Sequence, residues 1–227
     1  MKAIINTNKI DEYIHTPNTI GNYIYFGLQT LINLFRYNKF TDTLFTKWHF
    51  KNVFGYPIDL NSPKTLNEKI QWLKLNDMDA VKTKCSDKFL VREYIKNEIG
   101  EEHLIPLVYQ TYSPKNITVE KLPDYPVIIK TNHASGKVFI IKDKSTQDIS
   151  EIQESLKYQI RQNFYHPFRE KQYKNIKPCI LVEKLLQDED GNIPKDFKIH
   201  CFNGQPTYIQ VEIGRFVGQE RVIYDTN

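Results

Sequence analysis

A lysine stands near the end of an apolar segment and leads directly into a short loop that could hold an anion. Lys130 lies in the segment 126–131, and residues 132–137 after it are small or polar. A lysine ammonium group beside buried aliphatic side chains is costly unless an anion compensates it. Backbone N–H groups in such a loop can approach phosphate oxygens, and His133 adds a further donor. The pattern predicts an anion site, with residues 138–142 as the return strand of a hairpin.

A second apolar segment ends in charges of both signs. Residues 179–182 run into Glu183 and Lys184, and the chain turns at residues 188–191. Two interpretations remain open for this pair of segments. Lys130 and Glu183 either contact a ligand or pair with each other across neighbouring strands as a structural ion pair.

The composition excludes some classes of protein. The chain has 227 residues, 40% of them hydrophobic and 26% charged, which is enough for one or two packed units. The net charge is +4 and the basic residues are dispersed, so no nucleic-acid partner is indicated. The three cysteines lack metal-ligand spacing, and no cleavable signal sequence is evident. We therefore expect a cytoplasmic location.

The apolar stretch closest to a membrane span is residues 20–36, from Ile20 to Arg36, but polar residues interrupt it. Its apolar residues follow helical spacing, which predicts an amphipathic helix with an aromatic and aliphatic stripe. Docking on the protein's own core and peripheral contact with the inner face of the membrane both remain open. The basic residues that favour the membrane are Arg36, Lys39, Lys47 and Lys51.

The remaining pattern predicts an α+β fold of antiparallel hairpin sheets with covering helices. Residues 1–58 form a helical lead-in, residues 59–120 a helical region, and residues 121–227 a strand-rich region. A capping box at residues 65–68 starts one helix, and residues 79–99 predict a second. The dipeptide Asn203-Gly204 between alternating strands predicts a type I′ hairpin.

Common nucleotide and metal motifs are missing, since the sequence has no P-loop, GxGxxG, HExxH or CxxC. Residues 63–74, PKTLNEKIQWLK, resemble the entry signature of the TupA-like ATP-grasp family. These proteins are encoded among bacterial polysaccharide and capsule biosynthesis functions and are sometimes described as glycosyltransferases. The resemblance covers about residues 56–227. Further blocks agree in order: Asp87-Lys88 with residues 91–94, residues 129–136, residues 174–178, Glu183-Lys184, and residues 196–204.

The resemblance implies an ATP-grasp fold, in which two α+β lobes hold ATP between antiparallel sheets. Residues 121–227 would then be the nucleotide-binding region. Lys130 would contact the phosphates, the loop 133–136 would cover them, and residues 183–185 would be a hinge facing the adenine. Lys198 would reach the phosphates or ribose from the second lobe. The implied nucleotide-binding residues are Lys130, His133, Ser135, Gly136, Glu183, Lys184, Leu185 and Lys198, and no catalytic residue is assigned.

The implied activity is an ATP-dependent carboxylate–amine ligase that acts through an acylphosphate on a polysaccharide or sugar-acid substrate. Mg²⁺ is implied, but the family's acidic ligands belong to a segment beyond the chain's last residue. We therefore expect a C-terminally truncated enzyme and assign no metal ligand. The alternatives are a glycosyltransferase using a DxD at residues 188–190, better interpreted as a turn, and a non-catalytic nucleotide-binding module. Asp87, Lys88 and Arg92 are either surface charges or ligand contacts.

Overall fold

The computed structural model describes residues 38–135, 137–213 and 220–226. The chain divides into two compact units, one ending at Lys184 and the other beginning at Leu185. The predicted amphipathic segment 20–36 and Gly136 lie outside the described residues. The boundaries predicted from sequence after residues 58 and 120 stay predictions.

Local sequence signals explain where the helices of the first unit begin and end. Asn38 caps the first helix through its side chain, and Gly55 ends it with a φ of 79°. The capping box predicted at Thr65 and Glu68 is confirmed at the start of the second helix. The helices are α1 (Lys39–Phe54), α2 (Leu66–Asn76), α3 (Ala80–Ser86), α4 (Leu90–Ile99), α5 (Ile149–Gln159) and α6 (Tyr165–Phe168).

The prediction of one helix over residues 79–99 is wrong, because the chain breaks between α3 and α4. Asp87 lies in the break and is 2% exposed. Its Oδ1 accepts the backbone N–H groups of Phe89 at 2.8 Å and Leu90 at 3.2 Å. An acidic side chain that accepts such bonds starts a new helix. The helical spacing of the apolar residues continues across the break and did not reveal it.

A four-stranded antiparallel sheet forms the centre of the first unit, in the order β1, β4, β2, β3. The predicted hairpin is confirmed, because β2 pairs with β3 in antiparallel register. Val127, Ile129 and Val182 point into a core that Ile152 and Leu156 of α5 cover. The strands are β1 (Leu107–Thr111), β2 (Val127–Thr131), β3 (Phe139–Ile141) and β4 (Ile180–Lys184).

The second unit is a three-stranded antiparallel sheet in the order β5, β6, β7. Its strands are β5 (Asp196–Phe202), β6 (Gln205–Ile213) and β7 (Glu220–Asp225). The predicted type I′ hairpin is confirmed, since Asn203 and Gly204 have φ values of 51° and 78°. The fold class is α+β, as the sequence predicts. Within the described part of the chain, we find no helix with the length and apolar character needed to cross a bilayer.

Candidate functional site

Strand alternation places Lys130 on the sheet face opposite the core. In the antiparallel register, Ile128 faces Glu183 and Lys130 faces Leu181. Side chains opposite each other in register share a face, and every second residue of a strand repeats it. Lys130 and Glu183 therefore project to one side. The interpretation that buries Lys130 beside Val127 and Ile129 is wrong, because those two side chains point to the other side.

Glu183 is the centre of a charged cluster on this face. It is 3% exposed, and its Oε2 lies 2.5 Å from Nζ of Lys130. Its Oε1 lies 3.2 Å from Nη1 of Arg92, whose Nη2 donates to the carbonyl of Ile105 at 2.7 Å. The ion pair that the structural interpretation requires is therefore present. Whether Lys130 also contacts a ligand stays a prediction.

Lys88 adds a third cation to the cluster. Its Nζ donates to the carbonyl of Ala134 in the loop after β2. The pKa of Lys88 is lowered to about 8, first because the side chain is buried and second because Lys130 lies nearby, while Asp87 and Glu183 oppose the shift. An anion beside Lys88 would favour its charged form.

Asn132 fastens the loop to the break between α3 and α4. Its Nδ2 donates to Oδ1 of Asp87 at 2.9 Å and to the carbonyl of Lys177 at 3.0 Å. Its Oδ1 accepts the N–H of Cys179 at 2.7 Å, and its own carbonyl accepts the N–H of Lys88 at 3.0 Å. The sequence left Asp87 open between a surface charge and a ligand contact, and it did not single out Asn132. One local signal was available in the sequence, because an Asp such as Asp87 can start a helix. A helix that starts there places Lys88 beside the loop.

The loop residues predicted to cover phosphates differ in their surroundings. His133 is 2% exposed, and its Nε2 lies 3.0 Å from the carbonyl of Gln162, which makes Nε2 the donor. Burial lowers the pKa of His133, so the ring is neutral at neutral pH. The buried ring fixes the loop through its bond to the carbonyl of Gln162. Its contact with phosphate stays a prediction. Ser135 is exposed, as a phosphate donor requires.

The predicted hinge contains the boundary between the two units, which falls between Lys184 and Leu185. The N–H of Lys184 donates to the carbonyl of Pro106 at 2.9 Å, while its side chain is exposed. The Lys184 end of the segment is thus fixed to the first unit. Its contact with adenine stays a prediction.

Lys198 belongs to the second unit and lies among carboxylates. Its Nζ is 2.8 Å from Oδ2 of Asp196 and 2.8 Å from Oε1 of Glu212. The same Glu212 oxygen lies 3.2 Å from Nε of Arg221. The bonds to Asp196 and then to Glu212 raise the pKa of Lys198. Its predicted contact with the nucleotide stays a prediction.

The acidic residues do not form a metal site within residues 38–135, 137–213 and 220–226. No group of three or more His, Cys, Asp or Glu side chains there could hold an ion. In the DxD at residues 188–190, Oδ1 of Asp188 accepts the N–H groups of Asp190 at 3.1 Å and Asn192 at 2.8 Å. That segment is a turn, as the sequence indicates.

Comparison with known families agrees with the resemblance in the sequence. The model of the family described as TupA-like ATPgrasp matches residues 68–227. Comparison with curated proteins and with solved structures gave no match. The family match begins in α2 and includes the whole Lys88, Arg92, Lys130 and Glu183 cluster. The chain therefore belongs to the TupA-like ATP-grasp family.

Proposed function

We propose that the protein is an ATP-dependent carboxylate–amine ligase of bacterial surface polysaccharide biosynthesis that works in the cytoplasm. One observation carries the nucleotide part of this proposal. Lys88, Arg92 and Lys130 converge around one buried carboxylate beside a loop of small residues. ATP-grasp membership supplies the nucleotide, and the resemblance to polysaccharide proteins supplies the substrate class.

The residues of the cluster take different roles in this proposal. Lys130 and Lys88 neutralise phosphate charge, because a bound phosphate restores the balance that Glu183 provides only in part. Glu183 and Arg92 position Lys130 at the end of β2. Backbone groups at residues 183–185 face the adenine. Ser135 of the loop after β2 covers the phosphates, and Lys198 is a further nucleotide contact.

ATP supplies the phosphoryl group that activates the acceptor. A carboxylate oxygen of the sugar acid attacks the γ-phosphorus and ADP leaves. The amine then attacks the acyl carbon of the acylphosphate, phosphate leaves, and an amide forms. The proposal assigns no step to Mg²⁺.

The other two activities receive less support. A glycosyltransferase would need free carboxylates for the metal of a nucleotide sugar, and Asp188 is occupied by its own turn. A non-catalytic nucleotide-binding module would share the same cluster. ATP consumption by the purified chain in the presence of sugar acids and amines separates that module from a ligase.

Calorimetric titration of ATP tests the site. Lys130→Met should weaken ATP binding about ten- to hundredfold, or roughly 1.4 to 2.7 kcal/mol. Lys142→Met is the matched control, because Lys142 is exposed just beyond β3 of the same hairpin. It should leave the affinity unchanged. Equal ATP affinity for the parent and Lys130→Met, or tighter binding of a UDP-sugar than of ATP, would contradict the proposal.

Measuring stability in the same variants separates a ligand role from the structural ion pair. Glu183→Gln should lose more stability than Lys130→Met on either interpretation, because Glu183 pairs with both Lys130 and Arg92. A purely structural pair predicts that Lys130→Met lowers stability and leaves the ATP affinity of the folded protein unchanged. A phosphate contact predicts that Lys130→Met loses ATP affinity at temperatures where the variant is fully folded.

A further inference from the structure

Helix α1 packs on the described part of the first unit through one face and exposes large apolar side chains on the opposite face. Asp42, Thr46 and Phe50 are 1%, 4% and 1% exposed and recur every four residues along the docked face. The hydroxyl of Tyr165 donates to Oδ1 of Asp42 at 2.6 Å, and Nε of Arg169 lies 3.5 Å from the same oxygen. This face fixes α1 to the first unit and so fixes the direction of the opposite face.

Large apolar side chains lie on the opposite face at the same spacing. Phe40, Leu44 and Trp48 are 70%, 53% and 62% exposed. Single exposed apolar residues are common on proteins, but an aligned set on one helix face marks an interaction surface. The three side chains span two helical turns. We call them, with the lysines described next, the outer face of α1.

The charges on the outer face are all positive. Lys47 and Lys51 are exposed and lie within one helical turn of Leu44 and Trp48. The one acidic residue of α1, Asp42, is buried on the docked face. An exposed Trp, Phe and Leu set bordered by lysines matches an anionic lipid surface, where rings lie at headgroup depth and lysines contact phosphates.

Helix α2, which packs against α1, shows the same combination. Leu66, Ile70 and Leu73 are 61%, 43% and 44% exposed. Lys69 is exposed beside them, while Glu68 is 6% exposed and bonded to the start of its own helix. A second copy of the chain fits less well than lipid. A symmetric contact through the outer face would bring Lys47 and Lys51 of both copies together.

We propose that the outer face of α1 docks on an anionic lipid bilayer, with Phe40, Leu44 and Trp48 in the headgroup region. Lys47 and Lys51 contact lipid phosphates. The predicted amphipathic segment 20–36 lies outside the described residues, and this docking does not require it. The proposal is also independent of the ligase chemistry.

Vesicle binding of the full chain is the first test. Binding to equimolar phosphatidylglycerol and phosphatidylcholine should exceed binding to phosphatidylcholine alone and should fall as salt rises. Lys47→Gln with Lys51→Gln should weaken binding about tenfold or more. The matched control is Lys115→Gln with Lys121→Gln, an equal charge change at exposed lysines elsewhere on the unit. The control should stay within about twofold of the parent, because distant charges are screened.

The fluorescence of Trp48 can report directly on lipid contact, because the chain has two tryptophans and the other, Trp72, can be replaced. Trp72→Phe leaves Trp48 as the single emitter. Its emission should shift to shorter wavelength on anionic vesicles and be quenched by brominated lipid. Before lipid is added, Trp48 should be open to acrylamide.

Three results would overturn the proposal. The first is no binding to anionic vesicles at low salt, or equal binding to neutral ones. The second is vesicle binding that leaves Trp48 emission unchanged, which would place the lipid contact elsewhere. The third is protection of Trp48 from acrylamide without lipid. Concentration-dependent sedimentation would then assign the outer face to a second copy, and its absence to the chain's own residues 1–37.

Discussion

Two lysine and carboxylate clusters lie on the two sheets, and they differ in whether positive charge is in excess. On the first sheet, the one carboxylate of Glu183 meets Lys130 and Arg92, with Lys88 close by. On the second sheet, Lys198 contacts the carboxylates of Asp196 and Glu212, and Arg221 contacts Glu212 as well. Each cluster contains a lysine near a glutamate on a neighbouring strand, so the sequence alone predicts an ion pair in both.

The pKa directions separate the two clusters. The pKa of Lys88 is lowered to about 8, because burial and a neighbouring lysine disfavour its charged form. The pKa of Lys198 is raised, because Asp196 and Glu212 favour its charged form. A cluster that resists its own positive charge gains from an anion, and a cluster already balanced gains little. The first cluster is therefore the stronger candidate for a phosphate site.

The largest expected effect is loss of stability when the buried carboxylate is removed. Glu183→Gln should destabilise the first unit by about 3–5 kcal/mol, because Lys130 and Arg92 lose their buried partner. Glu212→Gln makes the same chemical change in the second cluster. It should cost less, because Lys198 keeps Asp196. Hydrogen exchange of the β2 and β4 amides measures the stability loss in Glu183→Gln. Exchange of the β5 and β6 amides measures the loss in Glu212→Gln.

An anion should restore part of the loss in one variant only. Added triphosphate should slow the exchange of β2 amides in Glu183→Gln more than in the parent, since Lys130 and Arg92 then lack their carboxylate partner. It should not change the exchange of β5 and β6 amides in Glu212→Gln. Equal losses for the two variants, or no response to triphosphate in Glu183→Gln, would remove the distinction between the clusters.

The pH dependence of ATP binding sharpens the comparison. Because the pKa of Lys88 in the protein without ligand is about 8, its ammonium group is charged at neutral pH and loses its proton above about pH 8. Bound phosphate raises this pKa, so binding takes up a proton and affinity falls as pH rises, approaching about tenfold per pH unit. Calorimetry in buffers of different ionisation enthalpy measures the uptake. Lys88→Arg should reduce the dependence of ATP affinity on pH, and Lys198→Arg should leave that dependence unchanged.

The contribution of Lys88 to stability without ligand should show the opposite trend. The folded pKa of Lys88, about 8, lies below the ordinary value of 10.5. Between these values Lys88 binds more protons in the unfolded chain, so its contribution to the unfolding free energy should rise with pH, by roughly 1 to 3 kcal/mol. Lys74 and Lys171 also have lowered pKa values and act in the same direction, whereas burial raises the pKa of Cys179 to about 11, which acts in the opposite direction. Urea unfolding should therefore be compared between variants: the unfolding free energy of Lys88→Met should gain less with rising pH than that of the parent, while Lys82→Met, whose lysine has a raised pKa, should keep the gain.

Local signals were sufficient for much of the fold. The hairpin around Lys130, the capping box at Thr65, and the turn at Asn203 and Gly204 each depend on residues adjacent in sequence. The break between α3 and α4 was missed, because it depends on Asp87 bonding to Asn132, which is 45 residues away in sequence. Helical periodicity carries no information on such a distant partner.

The candidate site was predictable only in part for the same reason. Lys130 and Glu183 could be named, since each follows an apolar strand. Lys88 and Arg92 could not be separated from surface charges, because their role depends on contacts with Ala134 and Glu183, which are distant in sequence. Asn132 was missed for lack of any local sign that its amide bonds to Asp87, Lys177 and Cys179. Distant tertiary contacts decide these assignments.

The smallest expected effect on ATP binding belongs to Lys198. The resemblance assigns it a nucleotide contact, yet its charge is already matched by Asp196 and Glu212 at 2.8 Å each. A lysine must loosen such pairs to contact phosphate, so its net contribution is small. Lys198→Met should weaken ATP binding by at most about fivefold, which is less than Lys130→Met does. Lys198→Met with Asp196→Asn should lose no more, because the second change removes the carboxylate that Lys198 contacts. A loss for Lys198→Met equal to that of Lys130→Met would show that the balanced cluster also binds phosphate, and the contrast between the two clusters would fail.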